Sequence, residues 1–199
     1  MLSFKQFLME MPLAYQRQQD EEEKIWYHTS PHHFDISEIR PMSHFGTNKA
    51  ARARVASTLL QSPINPAVST TSTGKHVRSN VMAYRLKLHK GWQIHDDGGD
   101  HSPTDIVDML HSHHHISDQE HQQLTKKVAL PAADRPKGYQ HIADFLQSKE
   151  VDHLHYINAI EDKGSKSVIV VDPKKTIRPV FQSKTARVNF KRGLSSHAD

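Results

Sequence analysis

The apolar run from Ser167 to Val171 is the feature that most constrains the fold of this chain. It is almost continuous in β-branched residues, which is typical of a strand buried within a sheet. A second strand pattern covers residues 153–157, and Lys163-Gly164 supplies a turn between the two. Residues 177–181 are expected to add an edge strand. The sequence therefore predicts a sheet with residues 167–171 at its centre.

Strand patterns also occur in the first half of the chain. One covers residues 25–28, and a second covers residues 81–88, where alternate apolar side chains share one buried face. The residues of that face are Met82, Tyr84, Leu86 and Leu88. Trp92 and Ile94 are expected to continue the second strand after a turn at Gly91.

Helical patterns separate these strands. The first starts at Thr47 or Asn48, either of which can cap it, and it ends before Pro63. Its inward face is rich in alanine. Its solvent face is expected to carry Lys49, Arg52 and Arg54.

Further helices are expected from Pro103, in the segment ending at Val128, and over residues 139–148. Loops are expected at residues 32–43, 61–80 and 131–138. Because the helices interrupt the strands without a regular βαβ alternation, the sequence predicts an α+β domain over residues 25–181. Its core is expected to be a split β-sheet with flanking helices.

Composition narrows the class of protein. A chain of 199 residues is long enough for one domain with a buried core. No apolar run reaches the roughly 18 residues of a membrane helix, so no membrane partner is expected. The absence of cysteine excludes disulfides and thiolate metal sites. Neither the G-x-G-x-x-G nor the G-x-x-x-x-G-K-[ST] fingerprint occurs, which argues against Rossmann and P-loop sites.

The two ends differ in composition from the domain between them. Residues 1–10 place Leu2, Phe4, Phe7 and Leu8 on one side of a short helix, a pattern that a frayed amphipathic terminus also produces. Residues 11–24 contain an acidic run and are expected to be a polar linker. Residues 182–199 form a basic tail, although the net charge of +4 is only a weak argument for binding nucleic acid.

Residues 1–10 are also similar to the N-terminal capsid-targeting peptides of internal head proteins in large tailed bacteriophages. Those peptides begin with methionine, contain a lysine and two aromatic residues, and are cut after a Leu/Ile-x-Glu triplet. Leu8-Met9-Glu10 matches that triplet. The resemblance implies cleavage after Glu10 and a place in the interior of the phage head, followed by the host cytoplasm after injection.

Three stretches carry residue types that suit a chemical site. They are Tyr27-His28-Thr29-Ser30, His44-Phe45-Gly46-Thr47 and the run from Tyr156 to Glu161. Taken singly, His28 is compatible with a core histidine that donates to a backbone carbonyl, and His44 with a loop residue. Gly46 permits a close backbone approach or a positive φ before the helix.

Taken together, the three stretches resemble the ADP-ribosyltransferase superfamily, in the branch of diphtheria toxin and the poly-ADP-ribose polymerases. The shared order is a strand ending in Tyr-His, an aromatic-Gly motif opening a helix, and Tyr-x-Asn-x-x-Glu before a hydrophobic strand. The resemblance covers about residues 25–181. It implies an NAD-dependent glycosyltransferase that transfers ADP-ribose to a host protein acceptor, with NAD as the substrate.

The resemblance also implies roles for individual residues. His28 would donate a hydrogen bond to a ribose hydroxyl, the Thr29 backbone would pair with the carboxamide, and His44 would stand where a tyrosine stacks on nicotinamide. Glu161 would polarise the ribose 2′-hydroxyl and stabilise the cationic transition state. The implied catalytic residues are Glu161, His28 and His44. The implied NAD-binding residues are Tyr27, His28, Thr29, Ser30, His44, Phe45, Gly46 and Tyr84.

Three positions depart from the family pattern. Thr29 stands where glycine is common, and His44 stands in place of tyrosine, so that Phe45 or Tyr84 is an alternative stacking residue. Glu161 precedes the last strand, whereas the polymerase branch places its glutamate on that strand, nearer Ser167. These departures leave open a degenerate transferase fold that serves as an internal head protein and binds packaged phage DNA or a partner. An RNA 2′-phosphotransferase-like enzyme is a third reading, because that branch also uses paired histidines.

The histidine cluster at residues 111–115 is compatible with a shared metal, because imidazoles three or four residues apart on a helix can converge. A solvated helix end explains the same pattern, and no thiolate completes a closed site. No metal is therefore expected in the functional site.

Overall fold

The structure is a computed structural model that describes residues 24–30, 36–61, 69–70, 76–77, 80–96 and 101–180. These residues form a mixed α+β fold with two main sheets and five helices. The strands are β1 (Ile25–Ser30), β2 (Ser43–Phe45), β3 (Ser69–Thr70), β4 (His76–Val77), β5 (Asn80–Leu86), β6 (Gly91–Gln93), β7 (His153–Ile157), β8 (Lys166–Val170) and β9 (Ile177–Pro179). The helices are α1 (Asn48–Gln61), α2 (Pro103–Ser112), α3 (Asp118–Val128), α4 (Arg135–Ser148) and α5 (Pro173–Thr176).

The larger sheet has the strand order β2-β8-β7-β6, in which β6 and β7 are parallel and the other pairs are antiparallel. The smaller sheet has the order β1-β5-β9 and is antiparallel throughout. Strands β3 and β4 pair in a separate two-stranded ribbon. The α+β prediction is confirmed, as is the central position of β8.

The run of β-branched residues in β8 packs against an apolar cluster on each of its two faces. Ile169 and Val171 belong to a large apolar cluster with residues of α2, α3 and α4. Val168 and Val170, which alternate with them, belong to a smaller cluster with Trp26, Tyr84 and Leu86 of the other sheet. Because both faces of β8 are buried over residues 168–170, this part of the strand has no solvent side for polar residues.

Local sequence signals position the helices. Ser102 caps α2 in a capping box with Asp105, and Pro103 occupies its first turn, as predicted. Ser117 and Glu120 form the same device at the start of α3. The expected loop at residues 131–138 is wrong in its second half, because α4 begins at Arg135. Pro136 lies in the first turn of that helix, where its missing N–H costs no hydrogen bond.

Two strand predictions need correction. Residues 91–93 do not continue β5 but pair with β7 in the other sheet, so the apolar alternation crosses from one sheet to the next. A side chain at Gly91 would overlap the ring of His153, so this crossing needs a glycine. Strand β2 begins at Ser43, the last residue of the expected loop at residues 32–43, and it was not predicted because three residues are too short for a periodic signal. The expected loop at residues 61–80 contains the ribbon of β3 and β4.

The buried face predicted for β5 is confirmed at Tyr84 and Leu86, and at Leu88 beyond the strand end, whereas Met82 is half-buried. Residues 1–23, 31–35 and 181–199 lie outside the described residues, so the peptide, most of the linker and the tail stay predictions. Among the described helices, none is long and apolar enough to cross a membrane.

Candidate functional site

A cavity of about 590 Å³ lies where the two sheets meet. The junction is held by a backbone bridge, in which Tyr27 N–H donates to the Gly46 carbonyl at 2.9 Å and Gly46 N–H donates to the Tyr27 carbonyl at 3.0 Å. A Cβ at Gly46 would lie 3.0 Å from the Ser167 hydroxyl oxygen and 3.3 Å from Ala50 Cβ. Glycine is therefore needed at position 46 because Ser167 and Ala50 approach the backbone closely.

The cavity collects most of the predicted site residues from all three sequence stretches. They are Tyr27, His28, Thr29, His44, Phe45, Gly46 and Glu161. Ser30 ends β1, but its side chain is outside the described part of the structure. Tyr84 is not among the lining residues, because its buried ring packs edge-on against Phe45 at 5.7 Å. The expected contact between Tyr84 and the cofactor stays a prediction.

One ring nitrogen of His28 is held by the backbone of β2. Its Nδ1 lies 2.7 Å from the backbone oxygen of His44, and a carbonyl oxygen can only accept, so Nδ1 carries the proton. Burial lowers the pKa of His28, and the charge of Arg54 lowers it further, against the raising effect of this hydrogen bond. The neutral ring therefore has an Nε2 that accepts. A hydroxyl group that contacts Nε2 would therefore be the donor of that hydrogen bond.

His44 lines the cavity, and its ring packs near the rings of Tyr156 and His101. Its Nδ1 is 3.1 Å from the Tyr156 hydroxyl, and its ring is 5.4 Å from the ring of His101. Burial is the largest cause that holds the pKa of His44 well below its usual value, and the charge of Arg54 and the neighbouring imidazoles of His101 and His28 lower it further. Burial raises the pKa of Tyr156 to about 12. Both groups are therefore uncharged hydrogen-bonding partners at neutral pH.

Glu161 is presented by a turn that Asn158 organises. The buried Asn158 Oδ1 accepts from the backbone N–H groups of Ile160 and Asp162, both at 3.1 Å. Its Nδ2 donates to Glu161 Oε2 at 2.8 Å. The turn closes at Gly164, whose φ is 86°. The asparagine of the Tyr-x-Asn-x-x-Glu pattern, Asn158, therefore both stabilises the turn and holds the Glu161 carboxylate.

Ser167 lines the same cavity as Glu161. Its hydroxyl lies 3.5 Å from Asn158 Nδ2 and it is buried on β8. The two positions considered for the acidic group are thus neighbours around one asparagine, and the carboxylate reaches the cavity from the turn rather than from the strand.

The cavity is also lined by arginines that were not predicted to belong to the site. Arg54 was expected on the solvent face of α1, but it lines the cavity and its Nε lies 3.4 Å from Glu161 Oε1. It follows Ala50 by four residues, so it shares the inward face of the helix, and that spacing was the available signal. Arg40 and Arg135 line the cavity as well, each from an element boundary that gives no periodic signal.

The surface histidines make other contacts. His95 Nδ1 lies 3.0 Å from His113 Nε2, and the His115 ring stacks on Trp92 at 4.8 Å. Across the described ranges, no group of three or more histidine, cysteine or acidic residues is arranged to hold a metal ion.

No protein-family model matches the sequence, and it matches neither a curated protein nor a solved structure.

Proposed function

We propose that this chain is an NAD-dependent mono-ADP-ribosyltransferase with the split-sheet core of that superfamily. The observation that carries the proposal is the convergence of His28, His44 and Glu161 on one cavity from three separate stretches. The three residues are far apart in the sequence, at positions 28, 44 and 161. A set of unrelated surface motifs would have no reason to share a cavity.

The proposed reaction breaks the glycosidic bond between nicotinamide and the ribose. Nicotinamide leaves with the bonding electrons, the ribose becomes cationic, and an acceptor nucleophile attacks it and loses its proton. The Glu161 carboxylate would stabilise the cation, an interaction that gains most of its strength in the transition state. His28 Nε2 would accept from a ribose hydroxyl and so orient the sugar before the reaction.

The lining of the cavity suits a dinucleotide in two further ways. Its charged side chains are Arg40, Arg54, Arg135 and Glu161, which leaves an excess of positive charge for a diphosphate when the imidazoles are neutral. Phe45, Tyr139 and Tyr156 add apolar ring surface to the same walls, which suits a planar heterocycle.

The arginines also favour one alternative, an RNA 2′-phosphotransferase-like activity, because a terminal phosphate would use the same cations. Ser167 favours a catalytically degenerate transferase fold, since a hydroxyl lies at the strand position where the polymerase branch has its glutamate.

The proposed location in a phage head depends on residues 1–10. Mass spectrometry of virion protein should then find Met11 at the N-terminus, and an intact Met1 would contradict that location.

The test of the activity is nicotinamide release from labelled NAD, with and without a bacterial lysate as the source of protein acceptors. The parent should release nicotinamide and label protein. Glu161→Gln should still bind NAD but release nicotinamide about 10²–10³ times more slowly, the usual cost of one preorganised electrostatic contact. The matched control is Glu150→Gln, since Glu150 is exposed and does not line the cavity.

Three outcomes decide between the readings. A parent that binds NAD without releasing nicotinamide would favour the degenerate fold. A parent that removes a 2′-phosphate from RNA but labels no protein would favour the phosphotransferase. Equal rates for the parent and Glu161→Gln would remove Glu161 from the mechanism.

A further inference from the structure

Helix α1 contacts two consecutive carboxylates of the turn that follows β7. Thr47, which also caps the helix through the Ala50 N–H, donates to Asp162 Oδ2 at 2.6 Å. The Lys49 ammonium lies 2.9 Å from Asp162 Oδ1. These contacts fix the turn to the first residues of the helix. The hydrogen bond from Thr47 and the contact with Lys49 lower the pKa of Asp162, so this carboxylate stays ionised at neutral pH.

The neighbouring carboxylate is held differently. Glu161 turns toward the cavity, where Asn158 donates to its Oε2 at 2.8 Å and Arg54 Nε lies 3.4 Å from its Oε1. The side chains of Arg54 and Glu161 are 30% and 20% exposed, so the contact is shielded more than an ordinary surface pair. Arg54 comes from the second turn of α1, beyond the residues that hold Asp162.

We propose that Arg54 is a positioning residue that directs its guanidinium into the cavity and fixes the orientation of the Glu161 carboxylate. Asn158 alone holds one carboxylate oxygen and leaves rotation about that hydrogen bond. The contact with Arg54 holds the second oxygen, so the two together define the plane of the carboxylate. The catalytic consequence rests on the proposed function, but the orientation does not.

The electrostatic surroundings are consistent with a guanidinium that faces inward. The charge of Arg54 adds to the lowering of the pKa of His28 and of His44, and it acts against the burial that raises the pKa of Tyr156. A side chain in bulk solvent would be screened from three buried groups at once. One arginine thus serves the cavity in two ways, since it orients the carboxylate and adds to the effect of burial on the pKa of both imidazoles.

The experiment compares Arg54→Gln, Arg54→Lys and the control Arg52→Gln, which removes an exposed arginine from the same helix outside the cavity. The first readout is the titration of His28 and His44 by NMR in the protein without NAD. Arg54→Gln should raise both midpoints, whereas Arg54→Lys should change them less and Arg52→Gln should not change them. Unaltered midpoints in Arg54→Gln would overturn the inference.

The second readout is single-turnover nicotinamide release at saturating NAD. Arg54→Gln should slow release about 10- to 100-fold, the cost of one charge-assisted contact, and Arg54→Lys should recover part of the loss. A double-mutant cycle decides the route. In a Glu161→Gln background, Arg54→Gln should cause little further loss, because its effect passes through Glu161. An undiminished loss in that background would show that Arg54 acts on the substrate directly and would overturn the positioning role.

The two readouts separate the inference from the proposed function. If the parent releases no nicotinamide but the midpoints shift as expected, the proposed function fails and the placement of Arg54 is supported. If the parent is active and the midpoints do not move, the inference alone fails. Arg54→Lys keeps the charge and most of the side-chain volume, so it supplies a folded comparison where Arg54→Gln is unstable.

Discussion

The histidines of the cavity and those of the surface between α2 and α3 use the same side chain for different purposes. His28 and His44 have uncharged partners, the His44 carbonyl and the Tyr156 hydroxyl, and burial lowers the pKa of both imidazoles. On the surface, His111 and His121 each lie 2.7 Å from a carboxylate, of Asp118 and Asp108 respectively. The cavity therefore keeps neutral imidazoles that orient other groups, whereas the surface forms ion pairs whenever its histidines are protonated.

The difference shows that histidine count alone says little about function. The 111–115 cluster is the more conspicuous feature of the sequence, yet its rings contact carboxylates and other imidazoles on the surface. His28 and His44 stand singly in the sequence and meet only because β1 and β2 are joined by the Tyr27–Gly46 bridge. The predictions that follow test how strictly the two groups differ.

The largest effect is expected from removing a cavity histidine. Under the proposed function, His28→Ala should weaken NAD binding and slow nicotinamide release, each by about 10- to 100-fold, because it would remove the proposed ribose contact, which is made before the reaction. The measurement is NAD affinity together with single-turnover release. His121→Ala is the surface control and should change neither quantity. Equal losses of NAD affinity and release rate in His28→Ala and His121→Ala would contradict the difference between the cavity and surface histidines.

The wall beside the cavity histidines should tolerate added volume poorly. Gly46→Val places a Cβ about 3.0 Å from the Ser167 hydroxyl oxygen and adds two methyl groups beyond it. We expect a loss of about 1–3 kcal/mol in the free energy of unfolding, measured with urea. The double variant with Ser167→Ala removes the opposing oxygen and should recover part of that loss. A neutral Gly46→Val would contradict the close approach at the sheet junction.

The two groups should also differ in how they link pH to stability. His28 and His44 have folded-state pKa values below the unfolded value of about 6.5, so the unfolded chain binds more protons once the pH falls below that value. Their contribution is fully present above pH 6.5 and is lost as the pH falls through the folded-state values. Each adds a slope of at most about 1.4 kcal/mol per pH unit.

The check on this linkage is urea unfolding between pH 7.5 and about 5, together with NMR titration of the imidazoles. His44→Gln should flatten the slope of stability against pH, although it lowers stability at pH 7.5. The hydrogen bonds from Thr47 and Lys49 lower the pKa of Asp162, so this carboxylate stays ionised throughout the window. An NMR titration midpoint of about 6.5 for His44 would contradict the lowering of its pKa by burial and by the charge of Arg54.

The smallest effect is expected on the surface. His111→Gln breaks the contact with Asp118, in which the two side chains are 39% and 90% exposed. Solvent-exposed pairs of this kind contribute about 0–1 kcal/mol, so the change in unfolding free energy should stay within that range. Thermal unfolding in low and high salt measures it, and the difference should shrink in high salt. Nicotinamide release should be unaffected.

The sequence by itself determined the local features of this protein. The β-branched run became the central strand β8, Thr47 capped α1, Pro103 opened α2, and Lys163-Gly164 turned the chain before β8. These features depend on neighbouring residues, through periodicity, caps and turn conformation, and neighbouring residues are what a sequence displays. The three stretches that line the cavity could also be chosen in advance, because each carries its own chemical pattern.

Only the tertiary structure decided how those pieces face one another. In the tertiary structure, residues 91–93 pair with β7 in the larger sheet, and Arg54 faces the cavity instead of solvent. Tyr84 packs against Phe45 and does not line the cavity. The tertiary structure also decided which nitrogen of His28 carries the proton, because the acceptor is a backbone oxygen sixteen residues away. Each outcome depends on contacts between distant segments, and burial, charge and hydrogen-bond direction are properties of those contacts rather than of any single stretch.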